Sequence, residues 1–366
     1  MKATRKHTFA PDYAVAPGAT IKETMEALGM TQRELADRTG LTVQTLNRIF
    51  KGAQPISYET ANKLELVTGT PAAFWNKLEA QYREQLTKLE EKAALGESLA
   101  WLKTIPVAEL IARRVIPPAR DKVIILREIL RFYGVSSVAA WTTIWAQPAA
   151  AARRSSYFES SPGPTSAWLR LGQLKAREIQ CAPYCKARFV EVLDQIRTFT
   201  THDPDQFLAE MIRLCASAGV ALTLVPEIKK APWSGAAEWL TPEKAMILLN
   251  LRGKSADRFW FTFFHEASHI LHDSKKGQHI DDGKTYEDDP AERRADEYAA
   301  EMLIPRRYDD PIRAARSATE IRQLAFTIGV CPGIVAGRYQ HLTGKWTHFH
   351  EMKRRFEWDA DADSPA

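Results

Sequence analysis

His265 and His269 stand four residues apart, with Glu266 directly after the first, so residues 265–269 read HExxH. On a helix, positions i and i+4 lie one turn apart on the same face, and both imidazoles can then reach one metal ion. Glu266 projects from nearly the same face, where it can accept a proton from water activated at that ion. An amphipathic core helix that happened to carry two histidines would show the same five letters, so the weight falls on the downstream segment 289–305. It reads as a second helix, with Asp289 suited to the N-cap and Pro290 to the first helical position. Glu292, Asp296, Ala299 and Leu303 form one stripe along it. A buried stripe tolerates carboxylates when a cation or a donor meets them. On this reading Glu292 is the third zinc ligand, and Asp296 accepts from the non-coordinating nitrogen of His265 or His269. The pattern Asp289-x-x-Glu292 also fits a capping box, in which Glu292 serves only the helix start. A third ligand placed elsewhere would come from Asp281, Asp282, Asp288 or Asp289. The chemistry that this set supports is peptide hydrolysis, with Glu266 taking a proton from water and passing it to the departing amine. Tyr298, His272, His279 and Tyr286 are open alternatives for the oxyanion donor.

The rest of the chain must position these groups. At 366 residues, with 45% hydrophobic and 26% charged side chains, the sequence is globular in composition and long enough for two or three domains. A net charge of +5 permits nucleic-acid contact without requiring it. Cys181, Cys185, Cys215 and Cys331 contain no CxxC pair, and nothing at the start reads as a signal peptide, which together point to reduced thiols and a cytoplasmic protein. No apolar run approaches the roughly 20 residues of a membrane span.

Residues 1–16 are expected to form a flexible arm. After it, residues 20–28 read as a helix stopped by Gly29. Thr31 caps the next, with Glu34 completing a capping box and Leu35-Ala36 turned inward. Gly40 breaks the chain, and Thr42 caps a third helix carrying Leu46 and Ile49 toward the core. Helix, glycine turn and helix, with a small residue at the crossing, make a helix-turn-helix. Thr42, Val43, Gln44, Thr45, Asn47 and Arg48 lie at the front of the second helix, positioned to read base edges, and Gln32 can meet phosphate or an adjacent base. Pro17-Gly18, Gln32-x-x-Leu35-Ala36, Thr39-Gly40-Leu41, Asn47-Arg48-Ile49, Gly52, Pro55-Ile56, Thr60-Ala61, Leu64, Thr68-Gly69, Phe74-Trp75 and Tyr82 together resemble the HigA-like antitoxin branch of the Xre helix-turn-helix regulators. The resemblance covers about residues 15–90. It implies a five-helix, lambda-repressor-like domain that binds double-stranded operator DNA as a homodimer, regulates its own expression and has a toxin partner in many members.

The middle of the chain is helical in periodicity, with residues 147–152 and 160–166 reading as loop or linker. Strand signals come next at 220–226, 235–240 and 245–251, and the Ser234 to Trp239 segment is the candidate edge strand for holding an extended peptide. Residues 321–342 repeat the spacing of the first helix-turn-helix, but residues 332–337 carry almost no polar side chain, so this is a packing motif. The strands, Phe263-Phe264-His265-Glu266-x-x-His269, Glu292-x-x-Ala295-Asp296-x-Tyr298-Ala299 and Leu303-Ile304-Pro305 resemble the ImmA/IrrE metallopeptidase domains over about residues 210–345. By that resemblance His265, His269 and Glu292 hold Zn2+ and Glu266 is the catalytic base. The family often has Asn where Asp296 stands and Gly where Ser268 stands, and neither change removes a ligand.

The expected architecture is therefore mainly α with a small β-sheet (α+β), ending in a zincin-like HExxH domain. The divisions are an arm at 1–16, the helix-turn-helix domain at 17–95, a helical connector at 96–205, the peptidase domain at 206–345 and a fraying tail at 346–366. Two functions fit. One is a DNA-binding regulator with a working zinc endopeptidase that cuts a repressor, a toxin or itself. The other is a non-catalytic antitoxin or repressor that keeps the metallopeptidase fold for sensing or docking.

Overall fold

The computed structural model describes residues 13–146, 162–275, 278–281 and 290–358. By its contacts the chain divides into two compact units, residues 1–99 and 100–366.

Helices α1 (Gly18–Ala27), α2 (Gln32–Thr39), α3 (Val43–Phe50), α4 (Tyr58–Thr68) and α5 (Ala72–Glu97) build the first unit. Their ends are set by local chemistry. Thr31 and Glu34 form the expected reciprocal capping box, and Thr42 and Ser57 accept from the backbone N–H three residues on. Gly40 and Gly69 close α2 and α4 in the left-handed region. Ile21, Leu35, Leu46, Ile49, Leu64 and Trp75 fill the core. Gly18 lets α1 cross α3 closely, since a Cβ there would lie 2.2 Å from the Phe50 Cα.

In the second unit a sheet of order β1-β3-β2-β4 is sandwiched between two hydrophobic clusters. Strands β1 (Val220–Leu224) and β3 (Lys244–Leu249) pair in parallel, while β2 (Gly235–Thr241) runs antiparallel to both β3 and β4 (Gln278–Asp281). Side chains alternate faces, so Ala245, Ile247 and Leu249 enter one cluster while Met246 and Leu248 enter the other. Burial on both faces explains why β3 reads as an unbroken apolar run.

Helices α6 (Val107–Ala112), α7 (Lys122–Tyr133), α8 (Val138–Trp141) and α9 (Pro162–Glu178) contribute to the second cluster. On the opposite face lie α10 (Lys186–Thr198), α11 (Pro204–Ser217), α12 (Ala256–His272), α13 (Pro290–Leu303), α14 (Asp309–Ala314), α15 (Ala318–Ile328) and α16 (Pro332–Thr343). From residue 100 on, the stretch expected to be a connector is thus built into the second unit, because its apolar residues supply one whole face of the sheet's packing. Helices α15 and α16 form a hairpin whose second helix buries Ile334, Val335, Ala336 and Tyr339, in keeping with a packing role.

Three expectations need correction. Pro162 to Ser166, read as linker, open α9, and Gly163 to Ser166 are buried. Proline is tolerated in a first helical turn, and a Cβ at Gly163 would lie 1.9 Å from the Thr104 carbonyl, so composition there reflects close packing. The segment 147–152 lies outside the described residues, as do residues 1–12 of the arm. Second, β2 is not an edge strand, because β4 pairs along its outer side. Third, the tail is docked as far as residue 358. Phe356 is buried against Phe207 and Phe259, its N–H donates to the Lys254 carbonyl at 2.9 Å, and Arg355 bridges to Ser255 just ahead of α12. No helix among the described residues is long and apolar enough to cross a membrane. Phe356→Ala should destabilise the second unit by about 3 kcal/mol, measured by urea unfolding; an unchanged midpoint would mean that the tail only rests on the surface.

Candidate functional site

Helix α12 has no wet face around the HExxH residues: every position from Thr262 to Leu271 is buried. Phe259, Trp260, Phe263, Phe264, Ala267 and Ile270 account for this by filling the core beneath the sheet. The polar members of the same turns, His265, Glu266 and His269, are therefore desolvated at 2%, 0% and 3% exposure. Buried imidazoles and carboxylates need partners, and helix α13, which packs along α12, supplies them.

Each histidine is held from behind. His265 Nδ1 lies 2.9 Å from Asp296 Oδ1, and His269 Nδ1 lies 2.6 Å from Asp273 Oδ2. A carboxylate only accepts, so both Nδ1 atoms carry the hydrogen, and both Nε2 atoms present lone pairs forward. Those two atoms are 3.1 Å apart. Glu292 closes the triangle, with Oε2 at 3.2 Å from His265 Nε2 and Oε1 at 3.5 Å from His269 Nε2. Ligands about 2.1 Å from a tetrahedral zinc stand about 3.4 Å from one another, which these three separations bracket. Donor type and spacing both fit a divalent metal of zinc's kind, and the three groups form the metal-capable cluster among the described residues. Burial alone would raise the Glu292 carboxyl, but a proton carried at the Nε2 atoms of His265 and His269, in the position that a metal would take, outweighs it and holds the group well below the usual carboxylate range. The capping-box reading of Glu292 would need Asp289, which lies outside the described residues, as do Asp282 and Asp288.

Glu266 lies against β2. A Cβ at Gly235 would come within 2.5 Å of both Glu266 Oε1 and Thr262 Cγ2, so only glycine lets the strand lie directly over the carboxylate. Sequence reading missed this contact, which is tertiary and leaves no local pattern. It also missed Asp273, although a carboxylate four residues after His269 was a visible signal. Asp273 further pairs with Arg294 of α13 and so ties the two helices together. Among the oxyanion candidates, His272 and Tyr298 pack ring to ring at 5.4 Å and, with Arg294, line an open cavity of about 610 Å3. Burial pushes the Tyr298 phenol up to about 12, so it keeps its proton and remains a donor at neutral pH. His272 is drawn down by burial, and its Nδ1 is occupied by Ser268. His279 is on β4 and is described by its main chain alone; Tyr286 lies outside the described residues.

On the first unit, Val43, Gln44, Asn47 and Arg48 of α3 are exposed, and Leu46 and Ile49 are buried. Four of the expected contact residues are already engaged. Gln32 donates to Asn47 Oδ1 at 3.0 Å and to the Val43 carbonyl at 3.3 Å, clasping α2 to the front of α3. The Thr42 hydroxyl is the N-cap of α3 and also meets Thr45 Oγ1 at 2.9 Å. Gln44 and Arg48 are left as the long polar side chains projecting from the helix.

A helix-turn-helix family model matches residues 21–75, and a peptidase M78 model described as the IrrE N-terminal-like domain matches residues 224–338. No curated protein matches the chain. The chain thus joins an N-terminal region similar to helix-turn-helix DNA-binding domains of Xre type to a C-terminal metallopeptidase-like domain, and the peptidase family that this second region resembles is typically metal-dependent. Asp273→Ala should weaken binding of Zn2+ about 10- to 100-fold, measured by competition with a chromophoric chelator; unaltered affinity would mean that His269 is oriented by something else.

Proposed function

We propose that the chain is a DNA-binding transcriptional regulator of the HigA-like antitoxin type whose C-terminal domain is a zinc-dependent endopeptidase, acting in the cytoplasm on a partner protein, a repressor or toxin, or on the chain itself. The observation that carries the catalytic half is the convergence of two imidazole lone pairs and one carboxylate, each imidazole locked from behind by an acid. His265, His269 and Glu292 would hold the zinc. When bound, zinc supplies Lewis-acid polarisation of water and of the scissile carbonyl. Glu266 accepts the proton from water and returns it to the departing amine, and its complete burial keeps that exchange away from bulk solvent. Asp296 and Asp273 fix the two rings in the tautomer that faces the ion. Tyr298, with a phenol that stays protonated, is one candidate to donate to a developing oxyanion.

The regulatory half rests on α3. Gln44 and Arg48 read base edges in the major groove, while the Gln32–Asn47 clasp and the Thr42 cap hold the helix in register, with Val43 and Thr45 supplying the flanking contacts. Homodimeric binding to double-stranded operator DNA rests on the same family likeness.

Glu292→Ala should lower zinc content from about one ion per chain, read by plasma emission spectrometry; full occupancy would place the third ligand elsewhere. Glu266→Gln should retain zinc and operator binding but lose cleavage, and a chain that never cleaves while its zinc and operator binding are intact would favour the sensing or docking module. Gln44→Ala with Arg48→Ala should cost roughly 1–3 kcal/mol per side chain in operator affinity, measured by fluorescence anisotropy; normal affinity would assign the surface to protein contacts.

A further inference from the structure

On the face of the sheet turned away from α12, a cavity of about 370 Å3 opens between the end of α7, α9 and β2. It is separate from the metal cluster, since Glu238 shares its face of β2 with Ala236, opposite Gly235. The cavity wall carries a guanidinium, Arg170 of α9, that is only 8% exposed. Arg170 Nε donates to the Phe132 carbonyl at 2.7 Å and Nη1 donates to Gln173 Oε1 at 3.2 Å, which fixes the plane of the fork. Among the described residues Nη2 has no such acceptor. Gly134 lines the cavity beside it, where a Cβ would stand 3.4 Å from that nitrogen. The guanidinium lies over the indole of Trp145, 5.8 Å from the ring centroid, and Tyr133 packs on that indole at 5.3 Å. Trp145 belongs to a π-helical turn, Thr142–Ala146, a rare backbone form that is frequent at functional sites. Ile144 of the same turn is exposed and lines the rim.

Charge decides the sign of the occupant. Two guanidiniums, Arg170 and Arg177, line the cavity with one carboxylate, Glu238, and Gln173 Nε2 already donates to both oxygens of that carboxylate at 3.2 and 3.0 Å. Burial and the Arg177 charge both work against the Arg170 cation, and Glu238 offsets them only in part. An anion beside Nη2 would complete the compensation. We propose that this cavity binds a small organic carboxylate with a flat apolar body: the carboxylate takes the open side of the Arg170 fork, with Arg177 at the rim, and the body lies against Trp145 and Ile144. A guanidinium fork matches a carboxylate in plane and spacing. A few polar groups set in aromatic and aliphatic walls are also the usual make-up of a small-molecule site.

Benzoate, phenylacetate and indole-3-acetate, titrated into the full-length chain by calorimetry with benzamide and inorganic phosphate alongside, test this. At least one acid should bind saturably. Arg170→Lys, which keeps the charge but loses the fork, should weaken it about tenfold. Arg177→Glu, at an exposed position where the fold is not at stake, should weaken it about threefold and covers the event that the first variant does not fold. In chain labelled with 5-fluorotryptophan, the fluorine resonance that is missing from Trp145→Phe should move as the acid is added, which separates this cavity from a carboxylate bound at the metal cluster. No saturable binding of any of the three acids overturns the proposal. So does affinity that every folded variant leaves unchanged, or a fluorine shift that spares the Trp145 resonance. Benzamide binding as tightly as benzoate, or phosphate as tightly as the best acid, overturns it as well, because the charge or the flat body would then contribute nothing.

Discussion

Two hydrogen bonds, from His265 to Asp296 and from His269 to Asp273, decide the character of the second unit. Each imidazole has two nitrogens, and a buried ring without an anchor can present either. With both Nδ1 atoms committed to carboxylates, the two Nε2 atoms must converge, and Glu292 faces them across little more than 3 Å. The arrangement concentrates charge in a dry place, and Asp296 and Asp273 are tolerable there because each accepts from an imidazole N–H. Helix α13 exists in this form to answer α12: its carboxylate stripe satisfies polar groups that the aromatic packing of α12 has cut off from water.

The sheet and the aromatic side chains serve that same end. Phe259, Trp260, Phe263 and Phe264 press α12 against β2 and β3, and Gly235 removes the one side chain that would hold the strand away from Glu266. The first unit solves a smaller problem by similar means. Side-chain hydroxyls at Thr31, Thr42 and Ser57 fix where helices begin, and the clasp from Gln32 to Asn47 sets α3 in register on α2. There the polar groups are exposed and few, and the outcome is a surface for contact instead of a centre for chemistry.

How much of this could be read from the chain depended on range. Spacing of four along a helix is a local property, so His265, Glu266, His269, Glu292 and Asp296 were visible, and so were the caps and the glycine stops of the first unit. Asp273 obeys the same spacing and was readable, had the helix been traced one turn further. Gly235 was not, because what it makes room for lies in another element. Pro162 to Ser166 misled, since prolines, glycine and hydroxyls look like linker until their burial is known. The tail misled likewise: Phe356 reaches a pocket of two other aromatics, Trp358 donates to Glu227 and Arg354 to the Thr200 and His202 carbonyls, and no periodicity announces such contacts. The role of β2 as an interior strand depended on β4, four residues whose composition carries no strand signal of its own.

The unequal shielding of the three cluster side chains has a kinetic meaning. His265 and His269 are 3% and 2% exposed at the side chain and cannot swing away without unpacking their helix, whereas Glu292 is 14% exposed. Should an ion be seated there, entry and escape would go by way of the carboxylate arm, with the imidazoles as a fixed seat. Turnover of the ion would then be governed by rotation of one side chain near the start of α13, and the lifetime of the loaded state would be sensitive to how firmly that helix is wound at its first turn.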